Sequence, residues 1–310
     1  MKTVSIVIPT YNEEENVPRI IERVKKVFEE NLQMYNYEIV FVDNKSIDGT
    51  RTIIEKYAEH DNHIKSIFYT RNFGFNRSTF YGLSQAQGDC AVLLFADMQD
   101  PPELIVDFVK QWELGNKIVV GIKNKSKENK LMYKIRQMYY TFIRIIGDVE
   151  HIEQFTGFGL YDASFIKVLR ELDDPLPYLR GIVAELGGDC TKVYYEQQKR
   201  QYGKTSFNFM KLYDTAMLGI TSYSKVLTRV ATISGFCISI LSILIALITL
   251  VIKLIWWDRF SVGIAAISIG VFFFGSVILF FVGLIGEYIV NINVRTMHHP
   301  IVIEEKRINF

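Results

Sequence analysis

Asp97 and Gln99 follow the apolar run 90–94 and bring a carboxylate and an amide oxygen to the end of what reads as a buried strand. Oxygen donors of that kind suit a hard divalent cation. Asp100-Pro101-Pro102-Glu103 comes next and reads as a helix start, with Asp100 as cap, proline in the first turn and an acid where the helix dipole favours one. Two further clusters have the same character: Tyr11 and Glu13 after residues 4–8, and Asp43 with the polar turn 44–50 after residues 38–42. Taken singly, each is also readable as an ordinary Asp-rich strand-to-helix turn.

The elements that must position these groups alternate along the first two hundred residues. Residues 4–8, 38–42, 64–69, 91–95 and 118–121 are short β-rich runs separated by amphipathic segments of helical length. That pattern predicts an α/β fold with a mainly parallel, doubly wound sheet. Asn12 and Glu15 are spaced as a capping box for the first helix. In such sheets ligands bind at the carboxyl ends of the strands, where Tyr11, Glu13, Asp43, Asp97 and Gln99 all fall. A nucleotide with its metal fits there. No Gly-x-Gly-x-x-Gly follows a strand and no P-loop is present, which disfavours a dinucleotide-binding dehydrogenase or a P-loop NTPase.

The chain has 310 residues, 49% of them hydrophobic, enough for one large core with sequence to spare. The surplus lies at 230–252 and 260–286, two uncharged apolar runs that read as transmembrane helices joined by a turn containing Trp256 and Trp257. Lys199, Arg200, Lys204, Lys211, Lys225 and Arg229 before the hairpin, and Arg295, Lys306 and Arg307 after it, predict that both outer ends face the cytoplasm. The opening residues 1–9 are too short to read as a signal peptide, so the large amino-terminal part is expected to stay in the cytosol. Residues 207–229 have apolar positions at helical spacing and read as amphipathic juxtamembrane helices. The implied organisation is a cytoplasmic domain at 1–206, juxtamembrane helices at 207–229, a membrane hairpin at 230–290 and a cytoplasmic tail at 291–310. Three widely spaced cysteines support neither a disulfide framework nor a zinc site, and a net charge of +1 gives no reason to expect nucleic acid.

Val7-Ile8-Pro9-Thr10-Tyr11-Asn12-Glu13, Val42-Asp43, Arg71-Asn72-Phe73-Gly74, Ala96-Asp97-Met98-Gln99-Asp100-Pro101-Pro102-Glu103 and Gly286-Glu287-Tyr288-Ile289 together carry a resemblance over nearly the whole chain. They resemble family 2 inverting glycosyltransferases of the polyprenyl-phosphate type, the group of the bactoprenol glucosyltransferases and, more distantly, the dolichol-phosphate mannose synthases. The resemblance implies a GT-A catalytic domain, a UDP-sugar donor with UDP-glucose favoured, undecaprenyl phosphate as acceptor, an inner-membrane location and a homo-oligomer, a tetramer in relatives. It implies nucleotide contacts from Pro9, Tyr11, Glu13, Asp43 and Arg71, and Mg²⁺ or Mn²⁺ on Asp97 and Gln99. It also implies a grip on the acceptor phosphate from Lys123, Lys130, Arg136, Arg200, Lys204 and Ser206.

Two positions depart from the family pattern, and each loses a carboxylate. Phe95 stands where relatives carry the first Asp of the metal motif, and Gly157 where they carry an Asp proposed as base. Glu185 and Asp162 are the acids that could substitute. Alternatively no base is needed, because a phosphate monoester with a second pKa near ~6 is already largely a dianion at neutral pH. A saccharide hydroxyl acceptor, or a silent nucleotide-sugar-binding scaffold, are the competing readings.

Overall fold

The computed structural model describes residues 1–125, 152–172, 174–198, 264–297 and 299–310, with isolated positions between 217 and 255. Lys130, Arg136, Arg200, Lys204 and Ser206 lie outside the described residues, as do the juxtamembrane segment and the first apolar run apart from isolated positions.

Eight strands form one mixed sheet: β1 (Thr3–Thr10), β2 (Asn36–Asp43), β3 (Ile64–Tyr69), β4 (Cys90–Leu93), β5 (Ile118–Lys125), β6 (Phe155–Asp162), β7 (Thr191–Glu196) and β8 (Glu304–Ile308). Their spatial order is β7-β5-β6-β4-β1-β2-β3-β8. Neighbours β1, β2, β3 and β4 run parallel, as do β5 and β7, whereas β6 and β8 run antiparallel to their neighbours. Among the described residues the helices are α1 (Val17–Asn31), α2 (Thr50–His60), α3 (Phe75–Ser84), α4 (Ile105–Glu113), α5 (Ala163–Glu171), α6 (Leu179–Leu186) and α7 (Ile264–Thr296), with a 3₁₀ turn at Pro102–Leu104 and isolated helical positions between 217 and 255.

The two faces of the sheet follow from strand alternation, since successive side chains point to opposite sides. Ile6, Ile8, Ile39, Phe41 and Val92 share one core with Val17, Ile20, Ile21 and Val24 of α1 and Ile105 and Phe108 of α4. Val7, Val40, Val42, Ala91 and Leu93 share the other with Phe80 and Leu83 of α3, Phe165 and Ile166 of α5 and Leu179 and Ile182 of α6. Helices on both faces are what buries a parallel sheet, whose strands are apolar on both sides.

Several sequence expectations are corrected. The first helix begins at Val17 with Asn16 before it and no side-chain cap. Asn12 is instead left-handed at φ 56° and accepts a hydrogen bond from Ile47 N at 2.9 Å, so the Asn12–Glu15 capping box does not form. Asp100 is no helix cap either: it is 2% exposed and accepts a hydrogen bond from the Tyr195 hydroxyl. The second apolar helix does not end at 286 but continues to Thr296, because no proline interrupts the run through Tyr288, Ile289 and Ile292. Among the described residues one helix is long and apolar enough to cross a membrane, with its span at Val277–Thr296; the companion expected for a hairpin lies outside them. The segment after it was expected to be a tail, yet Glu304–Ile308 forms β8 at the sheet edge.

Candidate active site

The parallel directions of β1, β2 and β4 bring their carboxyl ends to one edge, and the antiparallel strands β6 and β8 present their first residues there. Thr10, Asp43 and the 94–99 turn therefore meet Gly157 and Glu305 at a single rim.

The β1–α1 and β2–α2 loops are knitted together. Asn12 N donates to Ser46 Oγ at 2.9 Å, Glu13 N to Thr50 Oγ1 at 2.8 Å, and Gly49 N to Glu14 Oε2 at 2.7 Å. Short polar side chains thus satisfy loop amides that would otherwise be orphaned. Pro9, Tyr11 and Glu13 are half-buried along this seam. Asp43 is wholly buried between the loops, where its carboxylate accepts from Ser46 N at 3.1 Å and pairs with Arg51 Nε at 3.1 Å. Burial pushes its carboxyl above the usual range, while Ser46 and Arg51 act against that rise. Arg71, beyond β3, is exposed and stacks on the Phe73 ring at 4.5 Å.

The turn after β4 is sharply bent, with Met98 at φ 59°. Asp97 is half-buried; its Oδ1 accepts from Gln99 N at 3.2 Å and its Oδ2 has no partner among the described residues. Gln99 O accepts from Gln198 N at 3.0 Å, tying the turn to the end of β7. Among the described residues no three His, Cys, Asp or Glu side chains converge on one point. One free carboxylate oxygen and one amide oxygen fit a cation shared with substrate phosphates, because Mg²⁺ is usually held by one or two carboxylates plus phosphate oxygens and water. Behind the turn, burial raises the carboxyl of Asp100, with Lys123 and the Tyr195 hydroxyl opposing the rise. Lys123 is half-buried there, at the carboxyl end of β5.

Two of the predicted acids are elsewhere. Asp162 pairs with Cys90, the first residue of β4, and so sits at the opposite edge of the sheet. There it caps α5 through Ser164 N at 2.9 Å and accepts from Trp112 Nε1 at 2.7 Å, a structural assignment rather than a catalytic one. Glu185 is exposed in the last turn of α6. That turn leads to Gly187, whose added Cβ would lie 3.0 Å from Ile118 at the amino end of β5, again away from the rim.

Gly157 is at the rim, on β6, with φ 108°. A Cβ there would lie 3.3 Å from Leu93 Cδ2, 3.7 Å from Phe95 Cζ and 3.8 Å from Leu179 Cδ2. The Phe95 ring, 5.5 Å from that of Phe75, thus fills space beside the glycine, and both departures from the family pattern are one apolar patch.

Three groups here escaped the sequence reading. Arg77, on the first turn of α3, is half-buried, and burial together with neighbouring Arg71 lowers its pKa while Asp174 works against this. Its only sequence signal is a second arginine shortly after the Arg71-Asn72-Phe73-Gly74 stretch. Arg51 and Glu305, the neighbours of Asp43, left none.

The model of glycosyl transferase family 2 matches residues 5–172, which run from β1 to the end of α5. An uncharacterized glycosyltransferase, YkcC, of Bacillus subtilis is 30% identical over 97% of this chain and 93% of its own length. The bactoprenol glucosyl transferase of Shigella phage SfV is 31% identical, with 96% of each chain covered. Among solved structures, a complex of glucosyl-3-phosphoglycerate synthase from Mycobacterium tuberculosis with Mn²⁺, UDP and glucosyl-3-phosphoglycerate has a TM-score of 0.52 at 16% identity. That match spans 71% of this chain and 78% of the other and places the two in the same GT-A-like fold.

Proposed function

The chain belongs to glycosyl transferase family 2, and from that premise we propose that it transfers one sugar from a nucleotide-diphosphate donor to a polyprenyl phosphate at a membrane surface. The observation that carries the acceptor assignment is the apolar enclosure of Gly157. A hydroxyl acceptor needs a base to remove its proton, whereas a phosphate monoester with a second pKa near ~6 attacks already ionised. Leu93, Phe95 and Leu179 supply the atoms nearest to where a Cβ at Gly157 would stand, the chain carries no carboxylate there, and Asp162 and Glu185 lie away from the rim. Relatives named as bactoprenol glucosyl transferases support glucose as the sugar and undecaprenyl phosphate as the lipid.

In this reading Pro9, Tyr11, Glu13, Asp43 and Arg71 hold the nucleotide, and Asp97 with Gln99 would hold Mg²⁺ or Mn²⁺ against its diphosphate. Held there, such a cation would neutralise charge on the departing diphosphate. The Gln198 amide, by anchoring Gln99, keeps the turn in place as that charge develops. Lys123, with Lys130, Arg136, Arg200, Lys204 and Ser206, orients the acceptor phosphate for a single displacement that inverts the anomeric carbon. The catalytic rim and both chain ends lie on the cytoplasmic side, and a two-helix hairpin anchors the enzyme.

The test is transfer of radiolabelled sugar from a panel of nucleotide sugars to undecaprenyl phosphate in nanodiscs, with and without Mg²⁺ or Mn²⁺. A metal-dependent glycolipid is expected, with Asp97→Ala lowering the rate at least about 100-fold. Its pH profile should rise with the acceptor's second ionisation near ~6 and then stay level. Transfer only to saccharide hydroxyls, or none from any donor, would sink the proposal.

A further inference from the structure

Asp43 is buried at the end of β2, so its orientation depends on the groups around it. Ser46 Oγ donates to Oδ1 of its carboxylate, and Oδ2 is shared by Ser46 N and by Nε of Arg51, in the first turn of α2, each 3.1 Å away. A guanidinium is a rigid planar fork, so whatever holds its outer nitrogens also fixes the inner one. Here the side-chain partner is Glu305 of β8, to whose Oε2 Nη2 donates at 3.1 Å and to whose Oε1 Nη1 donates at 3.5 Å, while the Tyr69 carbonyl also accepts from Nη2 at 3.5 Å. The Phe68 ring lies 4.8 Å from the guanidinium carbon and defines its plane from one side. Lys45 Nζ, 2.8 Å from Glu305 Oε2, brings the β2–α2 loop into the same network.

We propose that Glu305 is a positioning residue for nucleoside-diphosphate binding: by holding the outer edge of Arg51 it sets the Asp43 carboxylate, which makes donor affinity depend on the docking of β8. The inference rests on Asp43 and the β2–α2 loop that encloses it bounding the nucleotide site, as proposed above. Glu305 is itself 43% exposed, and an exposed ion pair contributes little to stability, so a purely structural role predicts no change in affinity. The strand does not need Glu305 to stay docked. Thr70 N donates to Ile303 O at 3.1 Å, the Tyr81 hydroxyl to Glu304 Oε1 at 2.7 Å, and Asn309 Nδ2 to the carbonyls of Ala58 and Ile64 at 2.7 and 2.9 Å.

The experiment titrates UDP and GDP separately onto the full-length protein in nanodiscs by calorimetry, for the wild type, Glu305→Gln, Asp43→Asn and the double variant. Glu305→Gln should weaken the nucleotide that binds by roughly fivefold to tenfold and raise the donor KM to match, with kcat and Tm nearly unchanged. In the Asp43→Asn background the same change should add nothing. Unaltered affinity in Glu305→Gln, or an equal loss with and without Asp43, overturns the positioning role while leaving the transferase reading intact. Failure of the wild type to bind either nucleotide overturns the donor reading and the positioning role with it.

Discussion

A Cβ at Gly157 would sit 3.3 Å from Leu93 and 3.7 Å from Phe95 in a backbone conformation, φ 108°, that side chains rarely adopt. Aspartate at this position therefore meets both backbone strain and an apolar wall, and an unpaired buried polar group is costly on its own. Gly157→Asp should lose about 3 kcal/mol or more of stability without gaining transfer to hydroxyl acceptors. Phe95→Ala should return part of that loss, because the ring lies in van der Waals contact with the position a Cβ would take and so bounds the space for a larger side chain; thermal melts of the single and double variants measure the coupling. Equal losses with and without Phe95 would mean that the two departures are independent. At this scale the sequence was informative where polar residues follow an apolar run, as at Asp43, Asp97 and Gln99. It was silent on Glu305, which meets Arg51 across 254 positions of chain, and misleading on Asp162, whose role depends on which way β6 runs.

At the scale of elements, β1 to β5 were legible because buried parallel strands are uninterrupted apolar runs. β6 was not, since Gly157 and Gly159 dilute its pattern, and β8 was not, since Glu304-Glu305-Lys306-Arg307 is charged as edge strands often are. The amino-terminal edge of the sheet carries its own polar fasteners. Buried Glu38 on β2 pairs with Lys65 on β3 at 2.7 Å and accepts hydrogen bonds from Ser5 on β1 and from Gln87 N. Asp61, after α2, pairs with Lys25 of α1 at 2.6 Å and accepts from His63 N at 2.9 Å. Burial alone would raise both carboxyls, but these partners bring Glu38 below its ordinary value and Asp61 down to about 2. Because the folded values lie below the unfolded ones, the stability these groups give is complete above about pH 5 and is lost as the pH falls to about 2 and below. Asp43 and Asp100, whose carboxyls are raised, act with the opposite sign and are relieved by acid. Asp61→Asn should therefore cost up to about 2 kcal/mol at pH 6 and only a small fraction of that by pH 2, as melts across that range would register. A cost independent of pH would contradict the ion-pair account.

Considered as a whole, the molecule joins its apolar helix to the same rim that carries the candidate site. α7 ends at Thr296 and β8 begins at Glu304, so residues 297–303 alone separate them. Seven residues span at most about 25 Å, and Arg295 shortens the tether further by pairing with Asp174 at 3.0 Å. β8 runs antiparallel to β3, so the chain coming from the helix enters the sheet at its carboxyl edge, beside Asp43 and Arg51. If α7 crosses the bilayer, the rim is held within one such span of the surface where a lipid phosphate would lie. This placement yields a prediction that separates geometry from chemistry. Inserting about twenty Gly and Ser residues between 297 and 303 should leave nucleotide affinity unchanged, because β8 can still dock. Transfer to a long-chain polyprenyl phosphate embedded in nanodiscs should fall about tenfold or more, since the lost orientation must be recovered in every encounter. Transfer to a short, water-soluble prenyl phosphate should be nearly unaffected, since that acceptor reaches the rim without the bilayer. A parallel fall with both acceptors would show that the insertion damaged the site itself, and no fall with either would show that the short tether does not position the rim at the membrane.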